Sequence, residues 1–349
     1  MKRRLSLILG IIFVIAVMAV TVAYNLSKPR ILILQSYGPD YAWTRDVDAG
    51  IRRVLGAGNG YGYVLRWHYM DTKRHPWPES KQSAGLQARR AIDDWQPNLI
   101  LAVDDDAQEY AAKYYANQPG ISIVFAGTNG SVTPYGYDGA SNVTGILERM
   151  PLAALKEALL QGGFAKGKGK RPLRVIEICD NSETVQRDHE FIAAFDWKPM
   201  QYLGARLVSS FPEWQQAVAE AGQQADLILT TNYRKLTRSA DRQELVPPQE
   251  VVAWTEAHSK LPIVGINGFF VEDGGMLAIA TSPFEQGEVA ARMARDILEK
   301  HTAPASIPIA STRQFIVLMR PDLMARRNVR LPQLYEAFAR ATNNYFDAR

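Results

Sequence analysis

ILILQSYGPDYAWTRDVDAGIRRVL, Ile31 to Leu55, holds the pattern that specifies the architecture of this chain. It opens on a wholly apolar run, Ile31–Leu34, passes through a polar and aromatic segment, and then places Val47, Ile51, Val54 and Leu55 at i, i+4, i+7 and i+8. A short unbroken apolar run suits a strand covered on both faces, as in a parallel sheet. The later spacing predicts an amphipathic helix. Strand, polar loop, helix is the repeating unit of an α/β protein.

The same unit recurs along the chain. Further apolar runs are YVLRWHY (Tyr63–Tyr69), LILAV (Leu99–Val103), ISIVF (Ile121–Phe125), RVIEIC (Arg174–Cys179) and ARLV (Ala205–Val208). LILT (Leu227–Thr230), PIVGI (Pro262–Ile266), MLAIA (Met276–Ala280) and FIVL (Phe315–Leu318) complete the series. Val185, His189 and Ile192 mark a helix with Ser182 before it, and Ser210…Glu213 and Ser282…Glu285 have the spacing of capping boxes. The second box opens a helix with Ala290, Met293, Ile297 and Leu298 on one face. The alternation predicts two doubly wound parallel-sheet lobes, divided near VTGILERMP (Val143–Pro151). GGFAKGKGKRP (Gly162–Pro172) reads as a solvated surface loop of the second lobe.

The N-terminal end of the chain reads differently. LSLILGIIFVIAVMAVTVA (Leu5–Ala23) has 19 uncharged residues behind Lys2, Arg3 and Arg4. That run approaches the roughly 20 residues needed to span a bilayer, and its basic flank directs the rest of the chain outward. Residues 1–28 are therefore expected to be an N-terminal transmembrane or signal helix at the inner membrane. Thr21-Val22-Ala23 also fits a cleavage site, so an uncleaved anchor and a cleaved signal both stand. The formal net charge of +4 owes 3 charges to that flank, and a near-neutral body gives no reason to expect nucleic acid. A single cysteine, Cys179, excludes an internal disulfide and reads as a small buried residue.

In open α/β sheets ligands gather beyond the carboxyl ends of the strands. The segments there nominate Ser36, Tyr37, Tyr41 and Trp43 after the first strand, Asp104, Asp105 and Asp106 after the third, and Thr128 and Asn129 after the fourth. The second half adds Asp180 and Asn181, then Asn232 and Tyr233, then Asn267 and Gly268. Short polar groups with aromatics orient a small organic molecule between stacking faces. Each alone is as well explained by helix capping or packing, so it is their recurrence that points to a binding site. The carboxylates Asp104 to Asp106 suit an amine.

Asp104-x-Asp106 after a strand also fits a magnesium-dependent phosphohydrolase, but the further acidic clusters this chemistry needs are missing after Leu227–Thr230 and Pro262–Ile266. Neither a Gly-x-Ser-x-Gly elbow, a His-Glu-x-x-His helix nor a phosphate loop occurs, and the 5 histidines are scattered. No catalytic residue, resident metal or cofactor is expected.

The segments Ile31–Leu55, Leu99–Tyr115, Ile121–Asn129, Val143–Glu148, Phe270–Lys300 and Phe315–Ala341, taken in order, resemble the ABC-transporter substrate-binding family of the periplasmic binding protein type I-like class. They are also similar to extracytoplasmic sensor domains of bacterial membrane kinases, to which Ser36-Tyr37 and Tyr41-Ala42-Trp43-Thr44 lie nearer. The resemblance implies a first lobe of residues 29–145 plus 270–310 and a second of 146–269 plus 311–349, with a ligand cleft between them. It carries Ser36, Tyr37, Asp104, Asp105, Thr128, Asn129 and the second-lobe strand ends into that cleft. It implies hinge closure on a small, amino acid-like solute, read by an ABC permease or a membrane sensor kinase.

Overall fold

The computed structural model describes residues 2–56, 62–164 and 171–347. After α1 (Lys2–Leu26) come β1 (Arg30–Gln35), α2 (Ala42–Leu55), β2 (Val64–Tyr69), α3 (Pro78–Trp95), β3 (Leu99–Val103), α4 (Asp104–Tyr110), β4 (Ser122–Thr128), β5 (Val143–Leu147) and α5 (Leu152–Gln161). Next are β6 (Arg174–Asp180), α6 (Glu183–Ala194), β7 (Gln201–Val208), α7 (Phe211–Gln224) and β8 (Leu227–Thr230). A hairpin, β9 (Thr237–Ser239) and β10 (Arg242–Leu245), leads to α8 (Pro248–His258), β11 (Ile263–Gly265), α9 (Phe269–Glu272) and β12 (Leu277–Thr281). The chain ends through α10 (Pro283–Glu299), β13 (Ala310–Ser311), β14 (Phe315–Met319), α11 (Pro321–Arg326) and α12 (Gln333–Ala341).

The chain forms two compact units: Met1–Thr128 with Val132–Ile146 and Gly287–Ile309, and Asn129–Ser131 with Leu147–Gln286 and Ala310–Arg349. The sheet of the first has the strand order β5-β4-β3-β1-β2, with β1 parallel to β2 and β3, and β3 parallel to β4. Ile31–Leu34 and Leu99–Val103 are wholly buried, as strands covered on both faces must be. Helix α2 buries Val47, Ile51, Val54 and Leu55, the four positions its spacing marks. On α10, Gly287 lets the two backbones approach: a Cβ there would stand 2.1 Å from the carbonyl oxygen of Val47.

The second unit has the sheet order β14-β12-β11-β8-β6-β7, parallel except that β14 runs antiparallel to β12. Along β8, Leu227 and Leu229 enter one apolar cluster with Leu155, Ile279 and Val317, while Ile228 enters another with Trp214, Tyr233 and Phe270. That two-residue alternation with both faces apolar is the reason the strand reads as an unbroken hydrophobic run. Cys179 is wholly buried at the end of β6.

Several expectations are corrected. Residues 270–286, expected with the first lobe, belong to the second unit, because β12 hydrogen-bonds to β11 and β14 there. Residues 129–131 and Ala310 also group with the second unit. The break expected near Val143–Pro151 falls between Ile146 and Leu147, at the end of a fifth strand, β5, that the sequence reading did not include. The Ser210 capping box forms with both of its bonds. The Ser282 box forms only half: Ser282 Oγ accepts from Glu285 N at 3.3 Å. The Glu285 carboxylate instead accepts from the backbone N–H groups of Arg313 and Gln314, at 3.0 and 2.8 Å. Ser182 stands at the N-cap of α6 but makes no side-chain cap bond. The loop expected at Gly162–Pro172 lies partly outside the described residues, at 165–170.

Helix α1 forms where expected, with Phe13 and Val20 each 69% exposed. Among the described residues no helix is long and apolar enough to cross a membrane.

Candidate functional site

In the first unit Gln35, the last residue of β1, pairs in register with Val103, the last of β3, so the two strands release their loops side by side. Ser36 ties these loops together. Its hydroxyl donates to Val103 O and accepts from Ala107 N, both at 2.7 Å, and it is wholly buried. Ser36 is thus a structural pin, its hydroxyl spent on the protein's own backbone.

Asp104 comes directly after Val103, is 2% exposed and holds a left-handed backbone at φ 65°. Such a conformation costs a non-glycine residue free energy and persists only where neighbours enforce it. One neighbour is Trp43 in the first turn of α2, whose Nε1 donates to Asp104 Oδ1 at 3.0 Å. The other is Gly127 at the end of β4, where a Cβ would come within 2.7 Å of Asp104 Oδ1. The second carboxylate oxygen, Oδ2, is buried with no hydrogen-bond partner. Burial, then the charge of Asp105, pushes the Asp104 carboxyl well above the usual carboxylate range, against the pull of Lys73 and Trp43.

Aromatic side chains frame this carboxylate. The rings of Tyr37 and Tyr41 meet edge to face at 5.3 Å. The ammonium of Lys73 lies 4.5 Å from the centre of the Tyr37 ring and 6.0 Å from that of Tyr41. Burial, together with the charge of Asp104, raises the Tyr37 phenol well above its ordinary value, so it stays protonated at neutral pH. Asp105 accepts from Tyr135 Oη at 2.7 Å and Asp106 pairs with Lys81 at 3.0 Å. Thr128 is buried at the end of β4.

The strand-end residues of the second unit have other duties. Asp180 is wholly buried, and its two oxygens accept from the backbone N–H groups of Ser182 (3.1 Å) and Lys235 (3.0 Å). Asn232 Oδ1 accepts from Tyr233 N and Arg234 N, at 3.0 and 3.1 Å. Asn267 Nδ2 donates to Thr231 O at 2.9 Å, and exposed Asn181 accepts from Gln186. Tyr233, expected to face a ligand, is a core residue: it is wholly buried among Trp214, Phe269 and Phe270 and donates to Asp273 Oδ2 at 2.6 Å. Gly268 has the Leu318 side chain 3.1 Å from where its Cβ would be. Asn129 belongs to the second unit, where its carbonyl accepts from Arg149 Nη1 at 2.6 Å.

Three residues at this edge of the first sheet escape a sequence reading. Gln35 Oε1 and Thr44 Oγ1 are buried without a hydrogen-bond partner, and Lys73 lies beyond the end of β2. The signal for Lys73 was present, since the end of a parallel strand beside β1 belongs to the same edge. The other two looked like an ordinary strand end and helix turn. Among the described residues no group of three or more His, Cys, Asp or Glu side chains is placed to hold a metal ion, and Asp106 is neutralised by Lys81.

No family model matches the chain, and no curated protein matches it by sequence. Solved structures do. An ABC domain in complex with L-Trp from Streptococcus pneumonia aligns with a TM-score of 0.62 and 15% identity, over 89% of this chain and 98% of that one. A substrate-binding protein with adhesive properties from Clostridium difficile, in a ligand-free open form, aligns at 0.64 and 14%, over 92% and 100%. The fold is that of the type I-like periplasmic binding proteins. A conserved domain protein from Vibrio cholerae shares it at 0.62 and 14%, over 93% and 100%. In the type I-like fold the parallel strands of each unit release their loops at one edge, which is where Asp104, Trp43 and Tyr37 stand.

Proposed function

We propose that the chain is an extracytoplasmic solute-binding protein, not an enzyme, that holds a small, amino acid-like organic molecule at the strand ends. The observation that carries this reading is Asp104: a buried carboxylate with one unpartnered oxygen, beside the aromatic side chains of Trp43, Tyr37 and Tyr41. A few convergent polar groups among aromatic faces are the mark of a ligand site, and a buried polar oxygen left without a hydrogen bond costs stability that a ligand donor can return. The similar structures, one an ABC domain holding L-Trp and one a substrate-binding protein, support the class.

The proposed mechanism is hinge closure, in which the ligand favours a closed form only through contacts it gains there. An ABC permease would then read the closed form. A membrane sensor kinase is the second candidate partner, favoured by the exposed apolar side chains of α1, which suit attachment at the outer face of the inner membrane. If α1 is cleaved, the protein is periplasmic.

The test is a thermal-shift panel of amino acids, amines, nucleosides, sugars and oligopeptides on the full chain in a mild detergent. A ligand that binds the folded form alone raises the melting temperature, by about 2.7 kcal/mol of added stability at one hundred times its Kd. Silence across the panel together with turnover of a phosphate ester in magnesium would overturn the reading in favour of a hydrolase.

A further inference from the structure

Resting on the solute-binding reading above, we propose that the ligand carries a protonated amine and that Asp104 Oδ2 receives it. The first support is a set of atoms left over. Asp104 Oδ2, Thr44 Oγ1 and Gln35 Oε1 are all buried without a hydrogen-bond partner. They stand at one edge of the first sheet: Gln35 is paired in register with Val103, which precedes Asp104, and Thr44 is next to Trp43, which bonds to Asp104. Asp104 Oδ2 and Thr44 Oγ1 can both accept hydrogen bonds, and an ammonium group offers N–H donors and no acceptor, whereas the Gln35 amide is turned to Asp48, to which its Nε2 donates at 2.7 Å.

The second support is the division of labour among three consecutive carboxylates. Asp106 is paired with Lys81, and Asp105 accepts from Tyr135. Asp104 is the most buried of the three and keeps an oxygen in reserve. A ligand hydroxyl would satisfy that oxygen without favouring the ionised carboxylate that burial disfavours, and a ligand carboxylate would add repulsion to it. A cation does both tasks at once. The third support is that the aromatic frame already attracts a positive charge, since the Lys73 ammonium lies over the Tyr37 ring at 4.5 Å.

The experiment uses two matched sets of probes on the full chain in mild detergent, with affinity read by titration calorimetry. Tyramine is compared with its alcohol counterpart tyrosol and with 4-hydroxyphenylacetate; cadaverine is compared with pentane-1,5-diol and glutarate. In at least one set the amine should bind at least about tenfold tighter than the alcohol, the usual weight of one charge-assisted bond, and the carboxylate should not bind. Asp104→Asn should erase the amine's advantage over the matched alcohol. Thr44→Val, which leaves the charge intact, should weaken amine binding severalfold and guards against a failure of the first variant to fold.

Alcohol or carboxylate binding equal to the amine's would overturn the proposal while leaving solute binding standing. An amine advantage that survives Asp104→Asn would overturn the assignment to this residue. Silence from all six probes would overturn the proposal as stated, and solute binding would then rest on the wider panel.

Discussion

Trp43 Nε1 donates a 3.0 Å hydrogen bond to Asp104 Oδ1, joining the first turn of α2 to the residue after β3 across 61 positions of chain. The bond orients a carboxylate whose other oxygen it leaves unused. Trp43→Phe keeps an aromatic face and removes the donor. Loss of a hydrogen bond to a charged group costs about 1.5–3 kcal/mol. The variant should have a lower melting temperature and bind amine probes about tenfold more weakly, which calorimetry beside a thermal melt would show. Unchanged amine affinity would mean that the indole does not position Asp104.

Burial and the neighbouring Asp105 raise the Asp104 carboxyl in the folded chain, so between about pH 4 and its folded value the native state binds more protons than the unfolded state. Its contribution to stability is therefore fullest below the unfolded value of about 3.9 and is lost as pH rises through the folded one. Asp105, Asp106, Lys73, Trp43 and Tyr37 are the groups that bear on this equilibrium. Ligand-free Asp104→Asn should melt above the native protein at pH 7, and the two should converge near pH 4. Amine binding, which needs the carboxylate ionised, should strengthen up to about tenfold per pH unit below the folded value. Melting curves from pH 4 to 8 decide the first point; a native protein that is the more stable at pH 7 would refute it.

Gly127 has φ 66° and faces the Asp104 carboxylate at a distance no Cβ tolerates. Gly127→Ala adds left-handed strain of about 1 kcal/mol or more and pushes on that carboxylate. Expected are a lower melting temperature and a loss of amine affinity larger than the stability change alone explains. Equal losses of both, or neither, would contradict the contact.

Tyr233→Phe separates a core role from a ligand role. The phenol donates to Asp273, which Arg234 and Gln249 also hold, inside a wholly buried aromatic cluster. Stability should fall by about 1–2 kcal/mol with ligand affinity unchanged within about twofold. A variant that folds well but binds tenfold more weakly would return Tyr233 to the site.

The α/β class, the strands built on apolar runs and the buried faces of α2 and α10 were legible in the sequence alone, whereas β5, β9, β10 and β13 were not. Apolar runs and helical spacing are local signals, and burial on both faces of a strand leaves its mark in the strand itself. The edge where a ligand group would stand was legible for the same reason, since parallel strands all release their loops at one end. Tertiary structure decided which of the nominated residues are already engaged. Asp105 meets Tyr135, Asp180 holds the backbone of Ser182 and Lys235, Ser36 bridges to α4, and Tyr233 turns into the core. It also decided that β12 joins β11 and β14 in the second unit. A polar side chain's partner lies tens of residues away, and nothing in its own neighbourhood of sequence records whether that partner satisfies it or leaves an oxygen for a ligand.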